Sequence, residues 1–312
     1  MSLHASSGRW RLGLVLALVT AACWATLPVA LKVTLEQVDA ITLTWFRFLV
    51  AALVVGAWLA WRGHAVAPYR ALTGKHWAML GLAGLTLLGN YVFYLLGVQY
   101  TTPANAQLII QLAPLLMALG GIVVFRERFA AAQWVGLGLI VTGLLVFFGE
   151  QQGRRGDGYA FGAALVVLAA VVWAIYALLQ KQLLMRLSSP AILAAIYALS
   201  ALVLWPFAKP SVLLELDALH AAMLTYCALN TLVAYGAFAE ALAHWEASRV
   251  SAILATTPIL CVGAVAATHA LMPSLIAPER LGLYGWIGAA LVLAGSAGAS
   301  LMANRPRAAE AR

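Results

Sequence analysis

The sequence predicts an all-α integral membrane protein of ten transmembrane helices, built as two inverted five-helix repeats covering residues 1–150 and 151–312. Three observations lead there. Apolar runs of membrane-spanning length recur along the chain, the chain reads nearly the same twice, and its basic residues gather on alternate connections. Apolar residues fill 64% of the 312 positions and charged ones only 10%, whereas a soluble domain carries about 25% charge.

A hydrocarbon core of ~30 Å takes about 20 helical residues. Stretches of that kind fall at 11–31, 41–61, 76–97, 104–125, 131–149, 158–180, 190–208, 219–243, 248–271 and 281–302. They are continuously apolar, whereas barrel strands alternate in segments of about ten residues, so helices are predicted throughout. The first run is too long for a signal peptide and lacks an Ala-x-Ala exit, so it reads as a retained helix. The connections are short and hold no soluble domain. Cys23, Cys227 and Cys261 fall inside spans without metal-ligand spacing and read as packing residues; no metal or other cofactor is expected. In a soluble protein a net charge of +8 would suggest nucleic acid; here topology accounts for it, and no nucleic-acid partner is expected.

Residues 24–32, WATLPVALK, align with residues 173–181, WAIYALLQK, at an offset of 149. Tyr91 and Pro114 find Tyr235 and Pro258 at 144, and ERFAAAQWVG from Glu127 matches ERLGLYGWIG from Glu279 at 152. Leu, Ala and Gly match by chance in so apolar a chain; Trp, Lys, Pro and Glu-Arg falling in the same order do not. The drift in offset is that of loops changing length after a duplication. An internal repeat in a hydrophobic protein marks a secondary transporter, with its site where the halves meet.

With the N-terminus in the cytoplasm, thirteen of the nineteen Lys and Arg residues lie inside: Arg9, Arg11, Arg62, Arg70, Lys75, Arg126, Arg128, Lys181, Arg186, Arg249, Arg305, Arg307 and Arg312. Five lie outside, namely Lys32, Arg154, Arg155, Lys209 and Arg280, together with most of the acids. This satisfies the positive-inside rule with both termini cytoplasmic; the expected location is the inner membrane of a bacterium. Because five helices per half is an odd number, the second half enters from the opposite face and the repeat is inverted.

Nine of the eleven tryptophans lie within about six residues of a span end and read as interfacial belt residues. Trp24 and Trp173 differ. Each sits eight residues before its repeat lysine, about 12 Å along the helix and near mid-membrane. They are either packing bulk or two aromatic walls of a pore.

Helical periodicity sorts the other polar groups into stripes: Thr86, Asn90, Tyr94, Gly97 and Thr101 on the third span; Gln107, Gln111 and Pro114 on the fourth. The sixth span offers Trp173, Tyr176 and Gln180, and the eighth Tyr226, Asn230, Ala237, Glu240 and His244. Each stripe is helix-to-helix glue or the wall of a wet cavity. Four such helices favour a central cavity, with Trp24, Asn90, Tyr94, Gln107, Gln111, Trp173, Tyr176 and Tyr235 as candidate substrate-binding residues.

Glu240 and Arg47 are the charges clearly within spans, where charge is costly and points to function. Arg47 either snorkels or binds Asp39 or Glu36. Glu240 either pairs with His244 at i,i+4 as an anchor or gate, or exchanges protons, the candidate coupling ion, with the cavity. Pro28, Pro114 and Pro258 each remove a backbone hydrogen bond in mid-span and read as hinges, the last two as repeat mates that free carbonyls toward the cavity. With no basic pocket apparent at mid-depth, the expected solute is small, uncharged or zwitterionic, with an apolar portion.

The pattern resembles the drug/metabolite transporter superfamily, specifically its EamA-like exporters. The resemblance is carried by W-A-x(6)-K at Trp24 and Trp173, the Thr44-Trp45-Phe46-Arg47 entry of the second span, and the run Asn105 to Pro114 followed by Glu127-Arg128. The matching run is Ala247 to Pro258 followed by Glu279-Arg280. It covers nearly the whole chain and implies ten helices in two inverted halves, with a cavity built from helices 1, 3, 4, 6, 8 and 9. It also implies export of amino acids, other metabolites or toxic compounds. Eight extra residues, Leu271 to Pro278, set the second half apart. The alternatives are a non-transporting membrane scaffold and a membrane enzyme. The latter lacks H-E-x-x-H, G-x-S-x-G and any acidic metal cluster, so catalysis is not expected.

Overall fold

A computed structural model describes residues 9–63, 67–113, 115–116, 119–120, 131–152, 158–244, 250, 253–254, 256–278 and 281–302. Within these residues the fold is helical, without strands. The helices are α1 (Trp10–Thr34), α2 (Ala40–Trp61), α3 (Gly74–Tyr100), α4 (Pro103–Ile109) and α5 (Ala131–Gln152), then α6 (Tyr159–Leu183), α7 (Ser189–Leu204), α8 (Ala218–His244), α9 (Thr257–Leu271) and α10 (Leu283–Met302). Six are long and apolar enough to cross a bilayer: α1, α2, α3, α6, α7 with its 3₁₀ extension to Phe207, and α8. The other expected spans are represented by the seven residues of α4 and by shorter apolar stretches at Trp134–Phe147, Thr257–Leu271 and Leu283–Gly298.

Local chemistry sets the helix ends. Asp39 caps α2, its Oδ1 accepting from the Ile41 and Thr42 amides at 3.0 Å each. Thr102 caps α4 through the Asn105 amide, with Pro103 in the first turn where its missing N–H costs nothing. Glu150, at the end of α5, accepts from the Gly282 amide at 2.6 Å and from the Gly285 amide. A carboxylate there matches the positive end of the α10 dipole and joins the last helix of each half.

The helices pair mainly across the halves: α5 with α10, α3 with α6, α1 with α8, α2 with α7, α1 with α9, α4 with α6, α2 with α8, α3 with α7 and α4 with α9. Exchanging α1–α5 for α6–α10 maps this set onto itself. Thus α3–α6 becomes α8–α1, α1–α9 becomes α6–α4, and α2–α8 becomes α7–α3.

Atomic contacts follow the same exchange. A Cβ placed on Gly143 would stand 2.6 Å from the Gly288 carbonyl oxygen, and one on Gly295 would stand 2.5 Å from that of Gly136. At the repeat's offset of 152, Gly136 and Gly143 are the counterparts of Gly288 and Gly295. Small residues let membrane helices approach backbone to backbone, and here four of them seam α5 to α10. In α3–α6 a Cβ on Gly97 would collide with Val166; the repeat counterparts, Ala241 and Ala17, share a buried cluster between α8 and α1.

Candidate functional site

The aromatic positions come together along the seam between the halves. Trp24 on α1 meets Tyr235 edge-on at 5.8 Å and Phe238 at 5.6 Å, both on α8. Tyr235 packs on a buried cluster that contains Tyr91, Tyr176 and Tyr197, and Trp173 packs on that cluster from α6. Within it Phe48 stacks between Tyr91, at 4.5 Å, and Tyr197, at 5.6 Å. Trp24 thus reaches this aromatic cluster through Tyr235, and Trp173 packs on the same cluster from the other half.

Several polar stripes resolve into bonds between helices. Tyr94 donates to Gln107 Oε1 at 2.9 Å, linking α3 to α4. Asn90 donates to the Ala169 carbonyl of α6 at 2.9 Å. From the other half, Asn230 donates to the Cys23 carbonyl of α1 at 2.8 Å, and Tyr226 meets the Thr26 hydroxyl at 2.5 Å. Tyr176 is buried and belongs to the aromatic cluster. Gln111 is buried where α4 breaks.

That break has a sequence cause. A proline at 114 cannot donate to the carbonyl of residue 110 and crowds it. Ile110 O instead accepts from the Ala113 amide at 2.9 Å, a tighter three-residue bond, and the helix yields at Ile110–Gln111. Pro114 itself lies outside the described residues. In the second half Pro258 denies a partner to Leu254 O, which the Thr257 hydroxyl takes. The carbonyls expected to be free are thus satisfied locally, and α9 restarts with Pro258 in its first turn. Pro28 is buried within α1, which stays helical around it.

Glu240 and His244 pair at 2.9 Å, with the Glu240 side chain 61% exposed. The pair lies at the C-terminal end of α8, the end that the charge bias predicts to be cytoplasmic. At the opposite end the α1–α2 connection is tied to the start of α8. Gln37 donates to Asp217 at 2.8 Å, and His220 Nδ1 stands 2.7 Å from Asp217 and its Nε2 3.6 Å from Glu36. Bonds from the His220 amide and ring, with Gln37 adding to them, hold the Asp217 carboxyl down at about 2.

Two basic residues have partners that the sequence did not reveal. Lys32, half of the repeated W-A-x(6)-K, donates to the Val98, Gln99 and Thr101 carbonyls at 2.9, 2.6 and 3.1 Å. It thereby closes the C-terminus of α3, where a cation suits the dipole. Arg47 neither snorkels nor binds Asp39 or Glu36. It is 3% exposed, donates from Nε to Thr231 Oγ1 at 3.1 Å, and lies 4.6 Å from the Tyr91 ring centroid. Thr231 is the midpoint of α8, so a basic group does stand at mid-depth.

An apolar groove of about 300 Å³ on the flank of the bundle, between α2 and α7, is bordered by Tyr69 and Trp77 and does not reach Trp24, Tyr235 or Trp173.

A helical bundle whose halves interlock through small residues, with aromatic and polar groups drawn to their seam, is that of a multi-pass membrane transporter. The chain belongs to the EamA-like transporter family, whose model matches it over residues 11–149 and again over 160–301. It is 37% identical over 289 residues to an uncharacterized inner membrane transporter of Escherichia coli, YhbE, covering 91% of this chain and 90% of that one. An uncharacterized transporter of Haemophilus influenzae is 33% identical, with 91% and 93% covered. A probable amino-acid metabolite efflux pump of Escherichia coli is 25% identical over 90% of this chain and 92% of its own. A crystal structure with a TM-score of 0.64 and 20% identity, covering 96% of this chain and all of that one, shares the fold.

Proposed function

We propose that the protein is a secondary transporter that exports a small metabolite, an amino acid or another zwitterionic or hydrophobic compound, across the bacterial inner membrane by alternating access. The observation that carries this is the exchange-invariant set of contacts between the halves. Two equivalent halves can trade arrangements at either face at little net cost, which is how an inverted repeat alternates access. The aromatic cluster joined by Trp24 and Trp173 lies on that seam, and the efflux pump among the relatives supports a substrate of the amino-acid class. Glu240 with His244 acts at the cytoplasmic end as a gate pair; its exposed position favours this over carriage of protons through the seam.

Purified protein in liposomes preloaded with a panel of unlabelled amino acids is expected to show counterflow of at least one labelled apolar member. No counterflow across the panel, with the protein folded, would favour a scaffold. The inverted topology makes a separate prediction. In a functional cysteine-free variant, a Cys at position 154 is expected to label from outside and one at position 70 only from inside. Labelling of both from one face would sink the ten-helix arrangement.

A further inference from the structure

Arg47 is a permanent cation inside the bundle without a counter-ion among the described residues. Its guanidinium has five donors, of which Nε is spent on Thr231. Each described carboxylate is placed elsewhere. Asp39 caps α2, Glu36 and Asp217 flank His220, Glu150 caps α10, Glu240 pairs with His244, and Glu215 is exposed on a loop. The five remaining acids, Glu127, Asp157, Glu246, Glu279 and Glu310, fall outside the predicted spans. A charge at this depth is tolerated when paired or when it serves a solute path, and Tyr91 beneath the guanidinium supplies only partial compensation.

A second observation points the same way. The Tyr197 hydroxyl is fully buried without a hydrogen-bond partner, and the buried Tyr91 hydroxyl has only the Tyr235 side chain beside it. Phe48 packs against both rings and the Arg47 guanidinium lies over the Tyr91 ring, so Tyr91 joins Arg47 to the patch that holds Tyr197. Buried phenols usually find acceptors, and a planar guanidinium fork matches a carboxylate bidentately. The surrounding helices are α2 and α3 of one half and α7 and α8 of the other, so the patch lies between the halves.

We propose that Arg47, with the Tyr197 and Tyr91 hydroxyls, forms a docking site for the carboxylate of the transported solute. This rests on the transporter reading and narrows it. The solute carries a carboxylate, held by α2, while its apolar part lies against the aromatic cluster; amines and amides of the same skeleton are poor ligands.

The test uses the full-length protein in detergent and in liposomes, with a panel of apolar amino acids and simple aryl and alkyl carboxylates, each matched to its carboxamide. Binding is read as a thermal shift with titrated affinity, and flux as counterflow. The wild type is expected to bind at least one acid ten times or more tighter than its amide. Arg47→Lys is expected to retain the preference at reduced affinity. Tyr197→Phe is expected to weaken acid binding several-fold without altering amide binding, and Arg47→Met to lose the preference. A merely structural arginine would shift the melting temperature but not the acid-to-amide ratio, and the Lys and Phe variants keep the test decisive should Arg47→Met fail to fold. Equal binding of acids and amides, an unchanged ratio in folded Arg47→Met, or no binding by any acid would overturn the site. Acid-selective, Arg47-dependent binding without flux would uphold it and defeat the transport reading; unselective flux would do the reverse.

Discussion

Gly143→Leu and Gly288→Leu are each expected to leave little correctly folded protein, whereas Gly138→Leu on the same helix is expected to be near neutral. The contrast is geometric. At Gly143 and Gly288 an added Cβ would stand 2.6 Å from the carbonyl oxygen of the other glycine, and the nearest further atoms are backbone amides and Cβ atoms that no rotamer can move aside. At Gly138 nothing lies within 4 Å. Extra methylenes in a packed core typically cost about 1–3 kcal/mol, and more where the backbone must move. A leucine here must separate α5 from α10, which also withdraws Glu150 from the amides at the start of α10. Nothing in lipid favours helix association except close packing and hydrogen bonds, so the lost contact has no hydrophobic replacement. Fluorescence-detected size exclusion and melting temperature would read the effect. Equal yields for the Gly143 and Gly138 variants would show that the seam is looser than its contacts imply. Because the exchange of halves carries Gly143 against Gly288 onto Gly295 against Gly136, Gly295→Leu should fall with the first pair.

Much of this arrangement was legible in the sequence because it depends on pattern. Span positions follow from apolar length alone, and the repeat from residues too rare to coincide, so α1 to α3 and α6 to α8 lie where the hydropathy puts them. The break in α4 followed from one residue, since proline's missing donor acts on a fixed carbonyl four positions back. The fate of that carbonyl was not legible: whether an orphaned acceptor faces a cavity or finds the Ala113 amide or the Thr257 hydroxyl depends on local rotation of the chain. Polar stripes had the same ambiguity. Periodicity put Asn90 and Asn230 on inward faces but could not say whether a neighbouring helix would stand near enough to offer a carbonyl. For Arg47 the sequence misled in a different way. Asp39 and Glu36 are near in sequence, but Asp39 is captured by the amides that begin α2 and Glu36 lies beside His220, contacts set by a cap and by a helix distant in the chain. The signal that could have found the site was the absence of any acid within the spans apart from Glu240.

Trp24→Ala and Trp173→Ala are each expected to cut counterflow at least tenfold while the protein still reaches the membrane. Both rings are only partly buried, so truncation removes less packing than the ~3–5 kcal/mol typical of a fully buried aromatic, and folding should survive. What truncation does remove is an aromatic wall on either side of the buried cluster. The Trp24 ring braces Tyr235 and Phe238 of α8 against α1, and Tyr235 in turn packs on the cluster against which Trp173 also packs. An apolar solute lying against that cluster would lose contact area with either ring, and aromatic contacts of this kind add about 0.5–1.5 kcal/mol each beyond burial. Trp24→Phe and Trp173→Phe keep a ring and should recover much of the rate, which separates loss of a wall from loss of fold. Since the two tryptophans are repeat mates, the pseudo-symmetry makes a sharper demand. If each serves one access state, Trp24→Ala and Trp173→Ala should slow opposite directions of flux across right-side-out vesicles. Equal slowing in both directions would place both rings around one central solute, and full transport by both alanine variants would move the site away from the aromatic cluster altogether.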